Sequence, residues 1–158
     1  MNNSIRVFVV DDHTLFRKGL VSLLSELEDI QVVGEASNGE EAMEIVMGIE
    51  PDLILMDINM PGMSGIETLG VLRQQGMEIP VLMLTISEHQ EDLVGAICAG
   101  ACGYLLKNVE PEVLQQTIKQ VIAGKSVLSP EITEQVFEMV RSRKIGMEKM
   151  LTEREIQM

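Results

Sequence analysis

The chain has 158 residues, 46% of them hydrophobic but only 3% aromatic, and a formal net charge of −13. That length admits one domain with an appendage and an aliphatic, Met-rich core. The negative charge argues against a nucleic-acid-binding surface, no apolar run is long enough to span a membrane, and no signal-peptide pattern opens the chain. Cys98 and Cys102 are too few for a disulfide framework and read as buried or interfacial thiols, so a cytoplasmic protein is expected.

Ile5 to Val10 is β-branched and apolar and reads as a first strand, ending in Asp11-Asp12-His13. Leu15, Leu20, Leu23, Leu24 and Leu27 then recur at helical spacing, with Thr14 as a candidate cap. Gln31 to Ala36 reads as a second strand, mixed in composition and suited to an edge. Asn38-Gly39 marks a turn before a helix expected over 40–47, which Pro51 breaks. Leu53 to Met56 are four apolar residues stopped by Asp57, with Pro61-Gly62 as turn chemistry. Such a run reads as a strand buried on both faces. A helix is expected over 65–75, with Gly76 at its end, and a strand over 80–84 that runs into Thr85. A helix over 88–99 is closed by Gly100. Gly103 to Leu106 is a short strand ending in Lys107, and a helix over 111–123 carries Pro111 in its first turn.

Five strands alternating with five helices imply a doubly wound parallel sheet with right-handed crossovers. The expected fold is α/β and flavodoxin-like, with strand order 2-1-3-4-5. Residues 1–125 form this unit. Residues 126–150 read as a connector and linker: Val127 to Pro130, a helix over 131–143, and a polar stretch over 144–149. Residues 151–158 read as the start of a further unit, with Thr152 as N-cap and Glu155 at the capping-box position.

The strand ends collect chemistry. Asp11 and Asp12 follow the first strand, Asp57 the third, Thr85 the fourth and Lys107 the fifth. In open parallel sheets, sites form beyond the carboxyl ends of the strands. Three carboxylates brought together repel one another and need a cation. An oxygen-only cluster suits Mg²⁺. A carboxylate nucleophile, a cation, an ammonium and a hydroxyl are the parts that phosphoryl transfer to a carboxylate needs. Asp57 is the central acceptor. His13 and His89 lie far apart in sequence and do not read as metal ligands. Met43, Met56 and Met83 sit in core stretches.

With these residues in place, the chain resembles the CheY-like receiver domain of two-component response regulators. The resemblance rests on Val9-Val10-Asp11-Asp12-His13, on the stretch from Asp52 to Gly65, on Leu84-Thr85, and on the stretch from Ala99 to Lys107. The Gly103 to Lys107 ending and the tail from Leu151 to Ile156 resemble the NarL/FixJ group, whose helix-turn-helix of the LuxR type opens with such a tail. The resemblance implies that Asp57 accepts phosphate from a sensor histidine kinase. Asp12 and Asp57 would bind Mg²⁺ directly, with Asp11 nearby and the Asn59 main-chain carbonyl as a further ligand. Lys107 would contact the phosphoryl group, Thr85 would close on it, and Tyr104, the one tyrosine in the chain, would follow as a rotamer switch. It also implies homodimerisation on phosphorylation and transcription regulation through a C-terminal DNA-binding domain. Ile86 stands where many receivers carry a smaller residue, and Asn108 where many carry proline.

The resulting expectation is a signalling switch rather than an enzyme. A haloacid-dehalogenase-like phosphohydrolase is the alternative, since it too uses an aspartate nucleophile at a strand end. That family needs an acid two residues after the nucleophile. Asn59 stands there, and an amide cannot supply the proton. A third reading, an interaction module without phosphorylation, is opposed by the intact Asp11, Asp12, Asp57, Thr85 and Lys107.

Overall fold

Period-two alternation of buried side chains organises the molecule. In strand β1 (Ile5–Val10), Val7 and Val9 enter one core while Phe8 and Val10 enter another. Strands β3 (Leu53–Asp57) and β4 (Val81–Thr85) are buried along their whole length and split the same way. Ile54, Met56 and Met83 join Phe8, whereas Leu53, Leu55, Leu82 and Leu84 join Val7. A strand buried on both faces needs a layer on each side, and alternate residues supply each layer. The computed structural model describes residues 4–86, 95–97, 99–124 and the strand residues 127–128.

The helices sort accordingly. Helix α1 (Thr14–Ser25) sends Leu20 and Leu24 to the Val7 side. There they meet Leu114, Ile118 and Val121 of helix α4 (Pro111–Ile122). Helices α2 (Gly39–Ile49) and α3 (Gly65–Gln74) cover the opposite face through Ala42, Val46, Leu69 and Leu72. Met56 and Met83 are fully buried and Met43 packs against the same core, as the sequence predicts.

The sheet runs β2-β1-β3-β4-β5-β6, every pairing parallel, with β2 at Ile30–Ala36, β5 at Gly103–Leu106 and β6 at Val127–Leu128. The first five strands follow the expected order, with β2 at an edge. The sixth is a difference, because residues read as a connector add a two-residue strand beside β5. A pairing this short has no periodicity to detect. The helices expected over 131–143 and from 151, and most of the one over 88–99, lie outside the described residues.

The first helix differs from expectation in two details. His13, not Thr14, is its N-cap, and no side chain caps it. Leu15 is 89% exposed rather than part of the apolar stripe. Five residues separate Leu15 from Leu20, about 500° of helix, so the two point to different sides. Arg17 takes the buried position near Leu20 instead.

Close approach requires glycine at Gly34 and Gly65, among other positions. A Cβ at Gly34 would press on the Phe8 ring, where the β1–β2 register slips by one residue. A Cβ at Gly65 would overlap the Asp57 carbonyl oxygen. Gly65 N–H donates to the Ile58 carbonyl at 2.7 Å, so the start of α3 is seated directly against the end of β3. Ser64 and Glu67 close a capping box there.

Candidate functional site

Parallel register brings the strand ends to one edge. Val10 pairs with Met56, Asp57 with Leu84, and Thr85 with Leu106. Lys107 N–H then continues the ladder by donating to the Thr85 carbonyl at 2.8 Å. Asp11, Asp57 and Thr85 are buried, and Asp12 is half-buried.

Lys107 is the cation already present. Its Nζ lies 2.7 Å from Asp11 Oδ2 and 3.3 Å from Asp57 Oδ2, and 4.5 Å from the centroid of the Phe16 ring. Three carboxylates against one ammonium leave two negative charges uncompensated. Asp12 Oδ1 and Asp57 Oδ2 are buried without a hydrogen-bond partner among the described residues. Burial pushes the Asp57 carboxyl up to about 6, with the Lys107 ammonium opposing and the Asp11 carboxylate adding to the rise. Buried carboxylate oxygens that have charged neighbours at ion-pair distance but no hydrogen bond, at a site with excess negative charge, are what a divalent cation satisfies. Ligand atoms of Asp11, Asp12, His13 and Asp57 all lie within 4.8 Å of one another, so a cluster able to coordinate such an ion is present.

The Asp11 end is braced from below. Arg17 Nη1 donates to the Asp11 carbonyl at 2.5 Å, and its Nε donates to Glu35 Oε1 at 2.8 Å. Lys18 Nζ reaches the same Glu35 oxygen at 2.9 Å. These two cations, Lys18 first and Arg17 second, hold the Glu35 carboxyl below its usual range.

Thr85 stands on the other side. Asn59 Nδ2 donates to Thr85 Oγ1 at 3.5 Å. Tyr104 is 1% exposed and packs in the core beneath α2 and α3. Its strand lies between β4 and β6 rather than at an edge. Ile86 is 74% exposed and, with Leu15, Phe16, His13 and Asn108, lines the space beside Lys107. Cys102 is a partly buried thiol against the Val7-side core, and Cys98 and His89 lie outside the described residues.

Sequence reasoning overlooked two residues. His13 lies far from His89 in sequence and does not read as a ligand, yet its Nδ1 sits among the three carboxylates. The available signal was its position directly after Asp11-Asp12 at a helix start. Arg17 gave no signal beyond being a basic residue one turn later.

Comparison with known proteins agrees with this geometry. Residues 7–119 match the family model described as the response regulator receiver domain. The nitrate/nitrite response regulator protein NarL of Escherichia coli K12 is 43% identical over 143 residues, covering 90% of this chain and 66% of that protein. NarP of the same organism is 40% identical over 156 residues, covering 96% and 71%. The chain thus spans about two thirds of the length of these curated relatives. The crystal structure of a LuxR-family two-component response regulator from Aurantimonas sp. SI85-9A1 superposes with a TM-score of 0.80 at 32% identity, over 86% of this chain and 97% of that one. No helix among the described residues is long and apolar enough to cross a membrane. A receiver's parallel sheet, its acidic strand-end cluster and these likenesses together make the chain a member of the response regulator receiver domain family, in its NarL/FixJ group.

Proposed function

We propose that this chain takes a phosphoryl group onto Asp57 from a sensor histidine kinase, with Mg²⁺ as the bound cation, and that the modification switches the domain. The observation that carries the reading is Asp57 Oδ2, buried and without a hydrogen-bond partner, with Lys107 Nζ at 3.3 Å and a second orphaned oxygen on Asp12. Asp12 and Asp57 would hold the cation, with Asp11 beside them and the Asn59 main-chain carbonyl as a further ligand. When bound, the ion neutralises the excess negative charge and attracts the phosphoryl oxygens.

In the transfer, an Asp57 carboxylate oxygen attacks phosphorus. The bond from phosphorus to the donor imidazole nitrogen breaks, and the electron pair leaves with that imidazole. Lys107 meets the charge on a phosphoryl oxygen. Thr85 donates its hydroxyl to another, and Tyr104, one strand away, is held in its buried position. A new set of contacts at one end of β4 is enough to bias two states of the face around β5.

Residues 126–150 would link the receiver to a DNA-binding unit that begins at residues 151–158. DNA affinity rests largely on Lys and Arg at phosphates, and the receiver is acidic. Control of transcription would therefore pass through that unit and through homodimerisation on phosphorylation. Incubation with Mg²⁺ and a small acyl phosphate should add one phosphoryl group by intact mass, and Asp57→Asn should abolish it. Equal labelling of that variant would assign the acceptor elsewhere.

A further inference from the structure

Lys107 is a buried cation with unlike neighbours. Its side chain is 6% exposed, so the ammonium has lost most of its water. Asp11 Oδ2 lies 2.7 Å from Nζ, His13 Nδ1 3.2 Å and Asp57 Oδ2 3.3 Å. The Phe16 ring closes another side, with its centroid 4.5 Å from Nζ. That falls inside the range, up to about 6 Å, over which a ring face attracts a cation.

Helix α1 holds the ring there. Phe16 and Leu20 are four residues apart and so share a face of the helix. Leu20 is buried in the Val7-side core, and Phe16 packs against the same core. Arg17, the next residue, is tied to the Asp11 carbonyl and to Glu35, which fixes the rotation of the helix beneath the strand ends. Phe16 and Lys107 also line a cavity of about 230 Å³ with Leu20, Leu84 and Leu114. The ring is therefore the junction between that apolar space and the acidic site.

A ring and a carboxylate hold an ammonium differently. A carboxylate oxygen accepts a directed N–H bond. A ring face attracts the charge as a whole, through its quadrupole. A further carboxylate in place of Phe16 would add negative charge to a site that already has too much, and would occupy an N–H. The ring offsets lost hydration and leaves an N–H for an incoming oxygen. We propose that Phe16 is a positioning residue for Lys107: its ring face keeps the ammonium within ion-pair reach of both Asp11 and Asp57, where it meets the phosphoryl group. The proposal rests on the phosphoacceptor reading above and deepens it. Phe16 has no side-chain group that donates or accepts a proton, so it acts only through Lys107.

The test uses residues 1–158 with Phe16→Leu, Phe16→Tyr, and mono-, di- and trifluorinated phenylalanine placed at the same position. Leucine keeps apolar bulk without a π face. Fluorine withdraws charge from the ring face and changes its shape little. With Mg²⁺ and a small acyl phosphate, Phe16→Leu should slow phosphorylation of Asp57 about tenfold, and Phe16→Tyr should keep the rate within about twofold. The rate should fall stepwise with each added fluorine while the urea midpoint stays constant. In NMR with isotope-labelled lysine, the Lys107 ε-methylene signal is identified by its loss in Lys107→Gln. The ring should shift it upfield, and Phe16→Leu should return it to the ordinary lysine position. A rate indifferent to fluorination, or an unshifted Lys107 signal in the parent, would overturn the proposal. Should Phe16→Leu fail to fold, the fluorinated series still decides. If every variant is labelled on Asp57 at the parent's rate, the Phe16 role alone fails. If the parent takes no phosphoryl group on Asp57, the phosphoacceptor reading fails and this role with it.

Discussion

Lys107 sits closer to Asp11 than to Asp57, at 2.7 Å against 3.3 Å. The ammonium therefore holds a carboxylate oxygen that an incoming cation would also attract. Like charges repel strongly at this separation in a partly buried site. Lys107→Gln should tighten divalent-cation binding by about tenfold while weakening retention of the switched state. Calorimetric titration reads the first effect and NMR with a phosphoryl mimic the second. Weaker cation binding in the variant would mean that Lys107 organises the carboxylates rather than competing for them.

Asp57 should make the domain less stable at neutral pH than its amide isostere. Its folded value of about 6 lies above the ordinary 3.8. Between those values the folded state binds more protons than the unfolded one. The cost is present above about 6 and fades as pH falls toward 4. Asp57→Asn should therefore stabilise the cation-free chain at pH 7 by at most about 3 kcal/mol, and by little at pH 4. Urea titrations of both proteins at the two pH values check this; an equal gap at both would contradict it.

Glu35 works in the opposite direction. Its carboxyl is depressed below 4.5 by Lys18 and Arg17. The stabilisation is present above that unfolded value and is lost as pH falls through the lower folded one. Arg17→Met removes one of the two cations and the bond to the Asp11 carbonyl. It should cost about 2 kcal/mol at pH 7 and weaken cation binding by shifting Asp11. Its deficit against the parent should shrink on acidification, measured as the change in urea midpoint.

Gly65→Ala is expected to be severe for a single methyl group. The added carbon meets the Asp57 backbone, which cannot rotate aside as a side chain would. A loss of about 3 kcal/mol is expected, with cation affinity falling because the end of β3 must move. Gly70→Ala is the control, since a Cβ there meets nothing within 4 Å.

Much of this was legible before the structure. Four apolar residues ahead of Asp57, and the strand–helix alternation around them, were enough for the sheet order and for the strand-end cluster. What escaped depended on angles rather than residue types. Leu15 belongs to a list of leucines at plausible spacings, but its phase puts it on the solvent side. His13 became part of the site because the N-cap backbone, at φ −82 and ψ 94, lets the ring fold back beside Asp11. The Asp11 carboxylate fixes that turn by accepting from the His13 N–H at 2.8 Å, a local bond that the Asp-Asp-His order permits but does not demand. Tyr104 does not lie on an edge strand because β6, too short to be read from the sequence, pairs beyond it.

The two borders of the sheet bear on solubility. A long, flat border strand invites another chain to pair with it. Among the described residues one border, β6, is two residues long. The other, β2, carries the register slip opposite Phe8, so its hydrogen-bonding groups do not form one even row. Among the described residues neither offers a regular template, which works against edge-to-edge aggregation of an all-parallel sheet rich in Val, Ile, Leu and Met.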